Sequence, residues 1–439
     1  MTEPSQPAEQ RAPAPTGAGA GPTHRAATVE FRHVTKVYGA REKNGRGAVN
    51  DLSLTVPAGK ICVLVGPSGC GKTTTLKMVN RLIEPTGGQV LIDGADVMSE
   101  DVTSLRRRIG YVIQQVGLFP HLTVGANVAV VPRLLGWDAA RQRERTDELL
   151  ELVGLDPTRY RDRYPGQLSG GERQRIGVAR ALAVDPPVML MDEPFGAVDP
   201  IVRERLQNEF LRLQERLAKT ILFVTHDIDE AIKMGDVVAV FESGGIVAQY
   251  GPPAEMLASP ASEFVARFVG TDRGLKRLSL FRVGELPLAP IVTAPVGSDG
   301  AIARRVAHEQ PFEHVLIVDA EQRPIGWVHR DRLSAGQISA DAVESTSPLL
   351  DRRTTLKDAL SMLLDADVQA GLVVDRTGAV RGMVRVEDIT RLMREGDARP
   401  LDATERAAAD AADAVSDRGA AEATAGPGAA EPLARTGGA

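Results

Sequence analysis

Apolar positions along the chain fall into two rhythms. Short unbroken runs, Ile61-Cys62-Val63-Leu64-Val65, Val188-Met189-Leu190-Met191 and Ile221-Leu222-Phe223-Val224, have the length and side-chain types of strands buried on both faces. Alternating runs, Ala27-Thr28-Val29-Glu30-Phe31 and Leu52-Ser53-Leu54-Thr55-Val56, predict strands with one buried face. Further strands are expected at Gln89–Ile92, Ile109–Ile113, 237–241 and 246–250. Helical spacing lies between them. Leu76, Val79, Leu82 and Ile83 share one face of a helix that follows Gly71. Residues 139–152, the stretch from Ser169 to about Val184, and Ile201 to about Leu217 also read as helices. Strands alternating with helices predict an α/β core with a largely parallel sheet.

Beyond residue 270 the pattern changes. Residues 271–286 read as a connector. Val315–Asp319 and Pro324–Val328 then form strand, Asp turn and strand. After a helix from Leu356, the same order returns at Gly371–Asp375 and Gly382–Val384. The offset of about 56 residues marks an internal repeat. Residues 1–27 and 399–439 are rich in Ala, Pro and Gly, and few large apolar residues offset the entropy of ordering them, so both are expected to be disordered. The expected boundaries are 28–270, a linker at 271–286, and repeat units at about 287–342 and 343–398.

Length and composition narrow the class. The 439 residues allow two or three domains, and 43% apolar residues with 25% charged are globular values. Aromatics are only 4%, so the cores must be aliphatic. A formal charge of −6 supplies no overall basic field for nucleic acid. Cys62 and Cys70 have no metal-ligand spacing, and a reducing cytosol fits them. The sequence shows no signal peptide and no run of 18 apolar residues, so a membrane role is expected to need a partner.

Candidate chemistry centres on Gly66-Pro67-Ser68-Gly69-Cys70-Gly71-Lys72-Thr73-Thr74, which fits G-x-x-x-x-G-K-[ST] between a strand and a helix. Glycines let backbone N–H groups curl around phosphate oxygens, and the helix start adds its positive dipole end. Lys72 can reach the β- and γ-phosphates, and the Thr73 hydroxyl can ligate Mg²⁺. Asp192-Glu193 ends an apolar strand, where open α/β sheets place ligand groups. One carboxylate can hold Mg²⁺ and the next can orient an attacking water. Ser169-Gly170-Gly171 opens a helix, either as a second anion cradle or as a plain N-cap. His226 follows a strand and can donate to a γ-phosphate, or is an ordinary polar strand end.

With these motifs in order, residues 28–270 resemble the ATPase subunits of ABC transporters. The resemblance implies a P-loop NTPase fold with an antiparallel β subdomain and a helical subdomain. It makes Tyr38 the aromatic that stacks on adenine, Gly66–Thr73 the Walker A loop and Gln114 the Q-loop glutamine that senses Mg²⁺ and the attacking water. Leu168–Gly171 matches the signature sequence, Asp192 the Walker B aspartate, Glu193 the catalytic glutamate, Gly196–Asp199 the D-loop and His226 the switch histidine. Glu172 departs from the family, where Gln is common. Within the family, Lys77–Pro85, Tyr111–His121 and Val269–Leu278 resemble the ATP-binding subunits of bacterial importers of glycine betaine, choline, carnitine or proline. The C-terminal repeat resembles a tandem pair of α+β CBS domains.

The resemblance implies ATP and Mg²⁺ as ligands and a head-to-tail homodimer, in which Ser169, Gly170 and Gly171 of one chain close over ATP held by Lys72 of the other. It also implies transmembrane permease subunits, an indirectly linked solute-binding protein, and a peripheral place on the cytoplasmic face of the inner membrane. Gln114 and the apolar stretch Leu118–Val128 would couple the cycle to the permease; part of that stretch is expected to be core. An importer for another small solute stays open. A soluble ABC ATPase acting on DNA or ribosomes is disfavoured by the single ATPase unit and the acidic balance. For the repeat, salt sensing, nucleotide binding and plain dimerisation stay open. Arg273, Lys276, Arg277 and Arg282 can form a basic patch or a solvated face. Adenine-nucleotide binding by CBS pairs uses a Ser/Thr and an Asp three residues on. Here the positions are Arg385 with Asp388 and His329 with Arg332, so the pattern is half kept at best.

Overall fold

The structure is a computed structural model that describes residues 26–39, 47–114, 117–196, 198–394, 401 and 405. The tails expected to be disordered and residues 40–46 lie outside these, apart from residues 26, 27, 401 and 405.

A six-stranded sheet carries the N-terminal body. Its order is Ile246–Gly251, Val237–Glu242, Ile61–Val65, Thr220–Thr225, Val188–Asp192 and Ile109–Val112. All neighbours pair in parallel except the edge strand Ile246–Gly251. The side-chain period of two divides Ile61–Val65 between two cores. Ile61, Val63 and Val65 face a cluster with the helices, including Ile176, Phe195 and Phe210. Cys62 and Leu64 face the other, with Phe31, Leu52 and Val90 of a four-stranded antiparallel sheet. Both faces are thus covered, which is why the strand reads as an unbroken apolar run.

Parallel pairing has one consequence for function. It brings the carboxyl ends of Ile61–Val65, Ile109–Val112, Val188–Asp192 and Thr220–Thr225 to one edge, with Val65 opposite Thr225, Asp192 opposite Val224 and Val112 opposite Met191. The segments leaving those strands carry the phosphate loop, Gln114, Glu193 and His226.

The helix after the loop is shorter than its apolar spacing suggests. It spans Lys72–Val79. Arg81 takes a positive φ of 52°, and the N–H groups of Leu82 and Ile83 fold back onto the Lys77 carbonyl. Leu82 is therefore half exposed rather than on the buried face. A helical layer follows, with helices at Val124–Val128, Val130–Leu134, Ala139–Leu152 and Gly170–Ala181. Of the apolar stretch 118–128, Val124 and Val128 are core, while Phe119 is exposed, as are Leu134 and Leu135 beyond it.

The C-terminal body holds two sheets of three strands, Thr293–Pro295, His314–Val318 and Pro324–His329, then Leu349–Leu350, Ala370–Val374 and Val380–Arg385. Helices Gly300–His308 and Leu356–Leu364 occupy matching places. Corresponding elements start 56 residues apart, at 300 and 356, 314 and 370, 324 and 380. Leu316, Val318 and Trp327 of the first sheet pack with Ala370, Leu372 and Met383 of the second. The Trp327 indole donates to the Ser347 hydroxyl at 2.5 Å, satisfying its buried N–H. Residues 271–286, read from sequence as a linker, contain the helix Arg273–Leu278 and contribute Leu278, Phe281, Val283 and Leu286 to the core of the second unit. Two of the four cations that could form a basic patch or a solvated face are taken up by other contacts. Arg277 is buried, with its guanidinium 5.7 Å from the Phe281 ring centre, and the Lys276 ammonium pairs with Asp229 and Asp272.

Candidate functional site

The phosphate loop turns out of its strand through backbone shapes that need glycine. Gly66 has φ 153°, and a Cβ there would sit 2.4 Å from the Phe241 carbonyl oxygen. Gly71 has φ 107°, and a Cβ would meet the Ala48 carbonyl oxygen at 2.3 Å. Pro67, Ser68 and Gly69 form the exposed crest, Cys70 is buried beneath it, and Thr74 is half-buried in the first helical turn. Lys72 is buried, and its ammonium donates to the carbonyls of Gly66 (2.7 Å) and Pro67 (2.9 Å). The cation is thereby tied to the start of its own loop.

Thr73 follows Lys72, and its hydroxyl donates to Asp192 Oδ1 at 2.9 Å. Asp192 ends its buried strand, and burial is the largest influence on its carboxyl, pushing its pKa above the ordinary value against the pull of Thr73, Lys77 and Lys72. A bound cation would reverse that tendency. Two hard oxygen donors side by side next to a phosphate loop suit Mg²⁺, which takes one or two protein oxygens and completes its shell with phosphate and water. No cluster of three His, Cys, Asp or Glu side chains suited to a metal occurs among the described residues.

Glu193 sits just past the strand in the left-handed region, at φ 46°, an uncommon backbone shape for a non-glycine residue. Its N–H is tied to the Val224 carbonyl at 2.9 Å. The carboxylate is gripped on both sides. Gln114 Nε2 donates to Oε2 at 3.0 Å, and His226 Nδ1 lies 3.2 Å from Oε1. The structure therefore gathers Gly66–Thr74, Gln114, Asp192, Glu193 and His226 at one edge of the sheet.

The other candidates have partners elsewhere among the described residues. The Ser169 side chain caps the helix Gly170–Ala181, and its hydrogen bonds among the described residues go to Glu172, none to the loop. Ser169 and Gly170 are exposed, and space is open where a Gly170 Cβ would be. Asp199 caps the helix Pro200–Leu217 by accepting from the Ile201 N–H. Ala197 of the same motif lies outside the described residues. Tyr38 is exposed, with the Lys36 ammonium 5.1 Å from its ring centre.

Three supporting residues escaped the sequence reading. Asn127 is fully buried, and its amide serves the backbone of Phe119, Leu122 and Thr123 in four hydrogen bonds of 2.8–3.1 Å. It fixes the turn that follows Gln114. Arg180 donates to the Gly117 carbonyl at 2.7 Å, beside the same segment. Tyr160 donates to Glu172 Oε1 at 2.6 Å. Nothing in residue spacing signals the first and third. By contrast Ser169-x-x-Glu172 is a legible capping box, in which Glu or Gln serves equally.

Comparison with known proteins adds a separate line. The ABC transporter family description matches residues 49–196, and the CBS domain description matches residues 341–395. The osmoprotectant import ATP-binding protein OsmV of Salmonella typhimurium is 45% identical over 373 residues, covering 84% of this chain and 97% of the relative. The glycine betaine/carnitine/choline transport ATP-binding protein OpuCA of Bacillus subtilis is 44% identical over 361 residues, covering 81% and 93%. The glycine betaine uptake system ATP-binding protein YehX of Escherichia coli is 50% identical over 311 residues, covering 69% and 97%.

Proposed function

The chain belongs to the ABC transporter family as an ATP-hydrolysing subunit of an import system, and on that premise we propose that it powers uptake of a quaternary amine osmoprotectant such as glycine betaine, choline or carnitine. The single observation that carries the chemistry is the grip of Gln114 and His226 on Glu193, beside the Thr73–Asp192 pair. The choice of solute rests on the names of the relatives.

The residues divide the work. Loop N–H groups and Lys72 bind the phosphates of ATP. Thr73 and Asp192 would hold Mg²⁺, which supplies charge neutralisation on the phosphate oxygens. Glu193 orients the water and takes its proton as the oxygen bonds to the γ-phosphorus. The bond to the bridging oxygen breaks, leaving ADP and inorganic phosphate. His226 donates to the γ-phosphate, and Gln114 registers whether the site is filled. Tyr38 offers an exposed ring to adenine, and Asp199 starts the helix after the D-loop.

Ser169, Gly170 and Gly171 complete the site from a second copy, head to tail. The exposure of Ser169 and Gly170, and a Ser169 side chain that among the described residues bonds to Glu172 and not to its own phosphate loop, support this arrangement. A membrane permease is the partner in this reading, in keeping with the import systems named for the relatives; no helix among the described residues is long and apolar enough to cross a membrane. Its cytoplasmic face would receive Phe119, exposed on the turn that Asn127 anchors, and Leu134 and Leu135, exposed at the end of the helix Val130–Leu134. A solute-binding protein would deliver the cargo to that permease.

For the repeat, two observations weigh against nucleotide binding, which leaves salt-dependent regulation and plain dimerisation. The Asp388 carboxylate is already engaged by Arg385 and Arg391. The cavity between the units, beside Phe312, His314 and Arg385, holds only about 70 Å³, against several hundred for a small-ligand site.

The test is uptake of radiolabelled glycine betaine, choline and carnitine in cells stripped of their own systems and given this chain with its permease. Salt-stimulated uptake of at least one of them is the expected result. ATPase activity without uptake of any would overturn the assignment of the solute class.

A further inference from the structure

The departure at Glu172 has a structural role of its own. The Ser169 hydroxyl carries one proton, and it is donated to Glu172 Oε2 at 2.8 Å. The same oxygen accepts the Ser169 N–H at 2.7 Å, and the Glu172 N–H returns a bond to Ser169 Oγ at 3.3 Å. The second carboxylate oxygen accepts from Tyr160 at 2.6 Å. Both oxygens are engaged and the side chain is locked. The guanidinium groups of Arg159 and Arg163 lie 5.6 and 4.9 Å from the Tyr160 ring centre and hold that ring in turn.

A helix start attracts anions through its free N–H groups and dipole. Here a full negative charge already occupies the first turn. A phosphate arriving at Ser169 meets that charge and a hydroxyl whose proton points at the carboxylate.

We propose that Glu172 is a positioning residue that acts as a brake on closure: its negative charge, set beside the Ser169 hydroxyl it engages, opposes the incoming γ-phosphate and raises the ATP concentration at which two copies close. This rests on the reading in which Ser169 meets ATP across the dimer. The Tyr160 hydroxyl and the Ser169 N–H hold the Glu172 carboxyl down to about 2, so the charge persists at every working pH. An amide here keeps the capping box and removes the charge. Glu172→Gln therefore separates the brake from the cap.

The experiment uses the full chain carrying Glu193→Gln, with dimer formation followed by light scattering as Mg·ATP is titrated. Adding Glu172→Gln should lower the ATP midpoint by about three- to tenfold and flatten its dependence on salt. The melting temperature should move by no more than about 2 °C, since Gln serves the capping box. Tyr160→Phe keeps the charge and should leave the midpoint within about twofold of the parent. Ser169→Ala should raise the midpoint. If Ser169→Ala leaves it unchanged, the reading of Ser169 across the dimer fails. If Ser169→Ala raises it while Glu172→Gln leaves it in place, Glu172 is only a cap and the brake is refuted. A fall with Tyr160→Phe equal to that with Glu172→Gln would also refute it, by tracing the effect to a loosened helix start.

Discussion

Glu193→Gln is expected to cut ATP turnover by about 10²–10⁴-fold, the scale of a lost general base, while ATP stays bound between two closed copies. The geometry sets this expectation. Glu193 is held by Gln114 and His226 and raised on a left-handed backbone turn at the end of the parallel sheet. The amide preserves size and can still contact Gln114, but it takes no proton from water. Phosphate release and light scattering, measured together, check it. A variant that turns over at more than about a tenth of the parental rate would remove Glu193 from the role of base.

Lys72→Ala should act earlier in the cycle. The ammonium is buried and held by two loop carbonyls, so it is already placed for the phosphates. Its loss removes a charge-assisted contact of about 2–5 kcal/mol, or at least about 30-fold in ATP affinity. Binding of a fluorescent ATP analogue by the full chain measures this. Affinity within about fivefold of the parent would mean that the loop does not hold ATP through Lys72.

Much of this architecture is legible in the sequence for a physical reason. Strands covered on both faces must be apolar throughout, so Ile61–Val65, Val188–Met191 and Ile221–Val224 announce themselves. Parallel pairing then brings whatever follows those strands to one edge, and the phosphate loop, Asp192-Glu193 and His226 follow them. Other features depend on contacts that spacing does not encode. The helix after the loop stops at Val79 because Arg81 takes a left-handed turn, although Leu82 and Ile83 continue the apolar period. Asn127 looks like any loop polar residue until the backbone of 119–123 wraps around it. The run 271–286 reads as a connector because its four buried apolar residues are spread among charged ones. Its cations read as a patch or a solvated face, and spacing gives no hint that Lys276 meets Asp229. Glu172 stood out only as a mismatch, and its partner Tyr160 lies outside every motif.

A site shared between copies has a signature that no single variant can give. Lys72→Ala and Ser169→Arg should each abolish ATPase activity as pure dimers, since both sites of each dimer carry a lesion. In a mixed dimer, one site carries both lesions and the other carries neither. Mixing the two purified variants, and measuring phosphate release against each alone, should restore turnover toward that of one intact site. Ser169 is exposed at a helix start, so the arginine has room to fold outward. A mixture as inactive as its components, with mixed dimers shown to form, would contradict the completion of the Lys72 site by Ser169 of a second copy.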